Sequence, residues 1–238
     1  MYLLTSEVIF GYTSVRSLIV SASCSVEHLR RVSDSAFVLR FSVDPGIPFT
    51  PGQYVSVGPS GGIHMREYSI YSPPGGSALE ILVKEVEGGY VTTRLARLRS
   101  GAPLSVDGPF GFFTLDEQWR EQRHVFIATG TGISPFHCFV GACDGLEYRL
   151  LHGIRRVDEC YEYEWYDRSR ITTCVSRGGG GDFSGRVTDY LRQEAAEGRL
   201  DREARYYLCG NCDMIYEAFD ILQEHGVPHS HLFAEVYY

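Results

Sequence analysis

The chain has 238 residues, 44% of them hydrophobic and 22% charged, which is ordinary for a globular protein of one large or two small domains. Its net charge of −8 argues against a general nucleic-acid-binding protein. No apolar run approaches the roughly 20 residues that a membrane-spanning helix needs, so no membrane span is predicted.

Seven cysteines are spread over the sequence without the spacing of a disulfide framework, so we expect reduced thiols and a cytoplasmic location. Only Cys209 and Cys212 form a CxxC pair. A four-thiolate metal site normally needs a second close pair, and no metal site is predicted. Lys84 is the only lysine, which means that a phosphate or docking site must use arginine.

Residues 1–20 are moderately apolar, but Glu7 interrupts them and they lack the positively charged start of a signal peptide. Arg16 is the only base of this segment, which gives a mitochondrial address little support. We interpret the segment as an N-terminal extension or an additional strand.

Residues 21–117 show the pattern of short strands. Apolar residues alternate with others over residues 37–43, as in a half-buried strand. Further short β runs, separated by Pro and Gly clusters, cover residues 51–57, 66–72 and 79–86. The stretch 92–101 has helical spacing and ends in glycine, which predicts a short helix. Together these patterns predict an antiparallel β-barrel, with a sandwich as the alternative.

Residues 118–238 change to an alternation of strands and helices. Strands are predicted at residues 124–130, 147–153, 170–176, 206–210 and 230–236. Helices are predicted between them, at residues 132–143, 158–169, 184–198 and 211–226. This order predicts an α/β doubly wound domain with a five-stranded parallel sheet.

The first strand of this second half ends in Thr129, Gly130, Thr131 and Gly132, and a helix follows. Ligands of open parallel sheets bind beyond the carboxyl ends of the strands. Glycines let backbone N–H groups approach a phosphate, and a helix N-terminus favours anions. Any βα turn can use glycine, but the place of this turn on the first strand favours pyrophosphate binding.

The third and fourth strands of this half also end in polar residues. Ser176 and Arg177 follow the third strand, where they could receive a 2′-phosphate through charge-assisted hydrogen bonds. A solvated loop arginine is the alternative. Cys209 ends the fourth strand and reads as a small buried residue, as part of a nucleotide pocket, or, with Cys212, as a redox pair.

The stretch REYSIYS, residues 66–72, combines a cation, a carboxylate, two phenols and two hydroxyls. In a strand, Arg66 and Tyr68 share one face. The arginine could hold a diphosphate, the tyrosine could lie on a flat heterocycle, and Ser69 could bond to its edge. These residues fit a large flat cofactor such as flavin. An edge strand with a surface Arg–Glu pair is the alternative.

Taken together, these motifs resemble the ferredoxin–NADP reductase family, and the resemblance covers roughly residues 21–238. They occur in the family's order: PGQY (51–54), RxYS (66–69), GPFGFF (108–113), TGTGISPF (129–136), Ser176-Arg177, CG (209–210) and EVY (235–237). The resemblance implies an FAD-binding β-barrel domain at 21–117 and an NAD(P)-binding domain at 118–238, with FAD and NADP(H) as cofactors.

The resemblance also implies roles for the flavin side of the site. Arg66 would hold the flavin pyrophosphate, Tyr68 would stack on one isoalloxazine face, and Ser69 would hydrogen-bond near N5. Thr92 and Thr93 lie where the family binds the flavin phosphate from the start of a helix.

On the nucleotide side, residues 129–132 would line the NADP site, and Ser176, Arg177 and Arg186 would contact the 2′-phosphate. Cys209 would lie near the nicotinamide C4. The tail would supply the catalytic carboxylate, Glu235, and an aromatic ring over the second flavin face. Because one residue follows the EVY-like end, that ring could belong to Tyr237 or to Tyr238.

The predicted function is electron transfer between NADPH and a separate carrier protein, ferredoxin or flavodoxin, by a monomeric flavoprotein in which Ser69, Cys209 and Glu235 are catalytic. The alternatives are an NADH-dependent reductase component of an oxygenase and a non-catalytic flavin relay subunit. Ser176 and Arg177 argue against the first alternative, since NADH enzymes usually place an acidic residue there. The complete nucleotide loop and tail argue against the second.

Overall fold

The computed structural model describes residues 23–115 and 120–237. The predicted extension at 1–20 and the terminal Tyr238 lie outside the described residues. The described chain forms two six-stranded sheets, one antiparallel and one parallel. Within the described residues, no helix has the length and apolar character required to cross a bilayer.

The first sheet is a closed barrel, as predicted. Its strands are β1 (Ser23–Ser33), β2 (Ala36–Asp44), β3 (Tyr54–Pro59), β4 (Arg66–Ser69), β5 (Ala78–Lys84) and β6 (Pro103–Phe110). They pair antiparallel in the order β4-β3-β6-β1-β2-β5. A bridge between Ile70 and Ile81 joins the regions of β4 and β5 and closes the ring. The alternating apolar residues of β2 fill the interior.

The helix of the barrel domain is shorter than the sequence indicates. The spacing predicts a helix over 92–101, but α1 spans Tyr90–Leu95. Val91 and Leu95, one turn apart, are its buried residues. After Leu95 the backbone bonds shift to a three-residue spacing, from the Arg97 N–H to the Arg94 carbonyl, so α-helical bonding ends there.

The second sheet contains the five predicted strands and a two-residue edge strand that the sequence did not predict. The strands are β7 (His124–Thr129), β8 (Tyr148–Ile154), β9 (Ile171–Val175), β10 (Phe183–Ser184), β11 (Arg205–Asn211) and β12 (Leu232–Tyr237). They run parallel in the order β10-β9-β8-β7-β11-β12, with helices α2 (Ser134–Ala142), α3 (Val187–Ala196) and α4 (Cys212–Glu224). The strand order reverses beside β7, which places a ligand-binding crevice at the ends of β7 and β11.

The prediction of a helix at residues 158–169 is wrong. The chain instead forms three separate 3-10 turns, at Val157–Glu159, Tyr163–Trp165 and Arg168–Arg170. Glu162 has a left-handed backbone (φ 47°), which an α-helix cannot contain. Glu159 pairs with Lys84 at 3.1 Å and Glu162 pairs with Arg30 at 2.7 Å. These ion pairs to the barrel override the local helical pattern.

The two sheets share one hydrophobic cluster. Tyr71 and Phe113 of the barrel domain pack in it with Phe126, Phe136 and Phe139 of the parallel-sheet domain. The rings of Phe126 and Phe136 stack with their centroids 4.7 Å apart. This common core sets the position of the ends of the barrel strands relative to the ends of the parallel strands.

Candidate active site

Three polar side chains meet where the barrel faces the last strand of the parallel sheet. Ser69, at the end of β4, donates a hydrogen bond to the Glu235 carboxylate (2.8 Å). The Tyr237 hydroxyl donates to the Ser69 Oγ (2.6 Å). Glu235 and Tyr237 lie two residues apart on β12 and therefore share one face of the strand. We call Ser69, Glu235 and Tyr237 the junction trio.

Cys209 lies beside the junction trio on the neighbouring strand. In the sheet it is paired with Glu235 on one side and Ala128 on the other, and its side chain is fully buried. The thiol interacts with the Tyr237 hydroxyl. Burial raises the pKa of Cys209 well above its ordinary value, so it is a neutral thiol. Cys209 and Cys212 are both free thiols in this structure, not a disulfide.

The environment of Glu235 raises the pKa of its carboxyl above the ordinary value. Burial raises the pKa of this carboxyl to about 6, the Ser69 hydrogen bond lowers it in part, and the nearby charge of Glu67 raises it. A carboxyl with a pKa near neutrality can hold a proton or release it. The junction trio therefore contains a proton carrier that is hydrogen-bonded to a serine hydroxyl.

Arg66 and Tyr68 have free polar groups that fit an anionic, oxygen-rich cofactor. The exposed Arg66 guanidinium donates to the Met65 carbonyl (2.9 Å), and no carboxylate within the described residues pairs with it. The Tyr68 hydroxyl is buried and lacks a hydrogen-bond partner in the described structure. Burial raises the pKa of Tyr68 to about 12, so this phenol keeps its proton. The residues present thus fit FAD.

The two threonines of α1 are bonded locally. Thr92 Oγ1 accepts from the Val86 N–H (3.2 Å), and Thr93 Oγ1 donates to the Gly89 carbonyl (2.5 Å). A hydroxyl oxygen that already donates can still accept, and one that already accepts can still donate. Thr92 therefore keeps its hydroxyl proton for a phosphate oxygen, whereas Thr93 could donate to a phosphate only by giving up its bond to the Gly89 carbonyl.

The glycine loop after β7 packs against the end of β11. A Cβ on Gly132 would lie 2.3 Å from the Cys209 carbonyl oxygen, and one on Gly210 would lie 2.3 Å from Thr129 Oγ1. Thr129 Oγ1 also accepts from the Asn211 N–H (2.8 Å). Both glycines are required for this close approach. The structure therefore brings residues 129–132 together with Cys209.

The residues predicted to contact a 2′-phosphate lie beyond the ends of β8 and β9. Ser176 and Arg177 are exposed there, and the Ser176 hydroxyl donates to the Ile154 carbonyl (3.1 Å). The Arg177 N–H donates to the Arg155 carbonyl (2.9 Å). Arg186, which precedes α3, is also exposed.

The sequence reasoning missed Arg155, although Arg155 directly follows β8 at the carboxyl edge of the sheet, where ligands bind. We call Arg155, Arg177 and Arg186 the arginine cluster. Within the described ranges no carboxylate forms an ion pair with any of the three, in contrast to most other arginines of this domain. Three exposed guanidinium groups outside ion pairs fit an anionic ligand, although the charge of Arg155 also helps to lower the pKa of the Glu159 carboxyl.

Family models match both halves of the chain. A model for oxidoreductase FAD-binding domains matches residues 23–115, and a model for oxidoreductase NAD-binding domains matches residues 126–219. FAD and a nicotinamide nucleotide are therefore the cofactors of these two domains. The phosphate groups of these cofactors agree with the free guanidinium groups of Arg66 and of the arginine cluster.

Relatives and solved structures cover most of the chain. Ferredoxin–NADP reductase B of Sorangium cellulosum is 34% identical over 210 residues, which are 79% of this chain and 85% of that protein. The 2-halobenzoate 1,2-dioxygenase electron transfer component of Burkholderia cepacia is 29% identical over 230 residues, 84% of this chain and 66% of that protein. A ferredoxin NADP⁺ reductase from Neisseria gonorrhoeae with bound FAD and NADP has the same fold, with a TM-score of 0.80, 19% identity, and coverage of 91% of this chain and 98% of that one. The two domain models in sequence order and the identity to the Sorangium reductase show that the chain belongs to the ferredoxin–NADP reductase family.

Proposed function

We propose that the chain is a monomeric FAD-dependent oxidoreductase that transfers electrons between NADPH and a separate one-electron carrier protein, ferredoxin or flavodoxin. The hydrogen-bonded junction trio carries this proposal, because it joins the end of β4 in the barrel to β12 of the parallel sheet. Cys209 lies beside it on β11, and the Cys209 carbonyl packs against the nucleotide loop. The ranges matched by the two family models, 23–115 and 126–219, support domain bounds of 21–117 and 118–238.

The barrel residues bind and orient the flavin. Bound FAD supplies the hydride acceptor and the one-electron steps. Arg66 binds its diphosphate, and the neutral Tyr68 stacks on one face of the ring while its buried hydroxyl gains a hydrogen-bond partner. Thr92 would donate its hydroxyl proton to a phosphate, and Thr93 would do so after releasing the Gly89 carbonyl. Ser69 would bond to the edge of the ring, near N5, with the hydroxyl proton that it donates to Glu235 in this structure.

The parallel-sheet residues bind the nicotinamide nucleotide. Residues 129–132 line the site of the pyrophosphate at the start of α2. The arginine cluster would hold the 2′-phosphate, and Ser176 would join it by turning its hydroxyl from the Ile154 carbonyl to the phosphate, which gives a preference for NADPH over NADH. The buried Cys209 thiol shapes the pocket of the nicotinamide ring.

Ser69 and Glu235 hold a proton beside the reacting flavin atom. The Ser69 hydroxyl bonds to Glu235, and burial keeps the pKa of Glu235 near the working pH. The tail covers the second flavin face with Tyr237 or Tyr238. A ring in that place must move aside for the nicotinamide, so the tail weakens binding of the nicotinamide end and speeds product release.

The visible spectrum of the purified protein tests this proposal. We expect a yellow protein with non-covalent FAD that NADPH bleaches faster than NADH under anaerobic conditions. Addition of an oxidised ferredoxin or flavodoxin should restore the colour. A colourless protein that takes up neither FAD nor FMN would refute the proposal.

The dioxygenase electron transfer component among the relatives favours a second candidate, a reductase component of an oxygenase system. The coenzyme preference separates the two candidates. Faster bleaching by NADH would favour the oxygenase component, and faster bleaching by NADPH would favour the ferredoxin or flavodoxin reductase.

A further inference from the structure

A fully buried histidine connects the nucleotide loop to the segment between β8 and β9. His152 lies on β8, and its side chain is 0% exposed. Its Nδ1 lies 2.8 Å from the Tyr163 hydroxyl, and its Nε2 lies 2.8 Å from the Gly130 carbonyl oxygen. Burial of an imidazole is costly unless its nitrogens are hydrogen-bonded. None of the roles proposed above uses this residue.

The two contacts determine the tautomer of His152. A carbonyl oxygen only accepts hydrogen bonds, so Nε2 carries the proton and donates to Gly130, and Nδ1 accepts from Tyr163. Burial lowers the pKa of His152 to about 4, and the ring is neutral at neutral pH. Thr173 on β9 donates to the Tyr163 hydroxyl at 3.4 Å, a weaker link in the same direction. Each residue of this chain therefore donates to the next: Thr173 to Tyr163, Tyr163 to His152, and His152 to the Gly130 carbonyl of the loop.

The acceptor at the end of this chain belongs to the first glycine of the loop. Gly130 has a left-handed backbone (φ 52°), which suits glycine. In a planar trans peptide, the carbonyl of Gly130 and the N–H of Thr131 point in opposite directions. Because His152 holds the carbonyl toward the core, the Thr131 N–H faces away from the core, at the ligand edge of the sheet.

We propose that His152, oriented by Tyr163, is a positioning residue that fixes the Gly130–Thr131 peptide for binding the pyrophosphate of the nicotinamide nucleotide. The inference rests on the proposed function. His152 should affect the binding only of ligands that have a phosphate group contacting the loop at residues 129–132. A ligand such as 2′-AMP has only the phosphate expected at the arginine cluster and does not depend on His152.

Calorimetric titration of the FAD-loaded protein with NADP⁺ and with 2′-AMP tests the inference. We expect His152→Phe to weaken NADP⁺ binding about tenfold and to leave 2′-AMP binding and flavin content unchanged. His152→Gln keeps a donor and an acceptor and should recover most of the affinity. His124→Phe is the matched control, because His124 is equally buried but lies at the opposite end of β7, and it should not change NADP⁺ binding.

Tyr163→Phe removes a single hydroxyl, so it decides the matter if His152→Phe does not fold. A several-fold loss of NADP⁺ affinity with unchanged 2′-AMP affinity supports the inference. Unchanged NADP⁺ affinity, or equal losses for the two ligands, overturns the inference alone. Absence of binding of both ligands to the unaltered protein overturns the proposed function, and the inference with it.

Discussion

At the junction trio, a buried serine and two half-buried polar side chains bond to one another, whereas the arginine cluster presents three guanidinium groups to solvent without ion pairs in the described structure. The hydrogen bonds of the trio form only when the complete fold brings its three residues together. The positive charge of the cluster is a property of each arginine by itself. We therefore expect large effects on rate, with little salt dependence, from changes to Ser69 and Glu235 of the trio. Changes to the cluster should give moderate, salt-dependent effects on affinity.

The largest expected effect follows removal of the hydroxyl that connects the trio. Ser69→Ala should lower the rate of flavin reduction by NADPH by about 10²–10⁴-fold, because Glu235 and Tyr237 lose their common partner. Stopped-flow absorbance measures this rate. Ser72→Ala is the matched control, since Ser72 is also buried but bonds only to the Glu80 N–H. If Ser69→Ala reduced the flavin within twofold of the rate of the unaltered protein, the trio would not control that rate, and the contrast with the arginine cluster would be wrong.

A smaller effect is expected in the arginine cluster. Arg177→Ala should raise the KM for NADPH about 10- to 150-fold, which corresponds to about 1.5–3 kcal/mol of lost binding, and leave the KM for NADH nearly unchanged. The loss should shrink as the salt concentration rises. Arg123→Ala is the control, since Arg123 is exposed but paired with Asp201 at the other edge of the sheet. Equal effects on the two coenzymes would place Arg177 outside the 2′-phosphate site.

The trio should also impose a pH dependence on stability. Folding raises the pKa of Glu235 to about 6, so the folded state loses stability relative to the unfolded state as pH rises from about 4.5 through 6. Glu235→Gln cannot lose this stability, because its side chain does not titrate. Between pH 4 and pH 8 its free energy of unfolding should therefore rise by about 1–2 kcal/mol relative to that of the unaltered protein. Chemical denaturation at both pH values measures the difference. A pH-independent difference would show that Glu235 titrates normally.

The smallest effect concerns the tail. Tyr237→Ser should tighten NADP⁺ binding several-fold if the Tyr237 ring occupies the nicotinamide face, and it should lower the preference for NADPH over NADH. Tyr238→Ser, tested separately, decides which of the two rings stacks on the flavin. The NADP⁺-induced change in the flavin spectrum reports both affinities. Unchanged affinity in both variants would indicate that the tyrosines only cap the core.

The sequence predicts the elements of this molecule better than their contacts. Alternation over 37–43 identifies a barrel strand because the pattern reflects one buried face. The helix predicted at 158–169 fails because Glu159 and Glu162 reach ion-pair partners on the barrel. No local pattern encodes those partners, which come from another domain.

The same limit applies to the candidate site. The tail and REYSIYS each point to a cofactor, but the contact between Ser69 and Glu235 joins residues 166 positions apart. Arg155 could have been found from its place after a predicted strand. His152 could not, because within an apolar strand a histidine gives no sign of the carbonyl that it will meet.

Single-turnover reduction of the FAD-loaded protein by NADPH is the decisive measurement of whether the flavin is reduced, and its proton controlled, at the junction trio. We expect rapid bleaching in the unaltered protein. In Glu235→Gln we expect bleaching slower by at least about 10²-fold, with unchanged FAD content and NADP⁺ affinity. Equal bleaching rates in the two proteins, or a flavin that neither NADPH nor NADH reduces, would contradict this role of the trio.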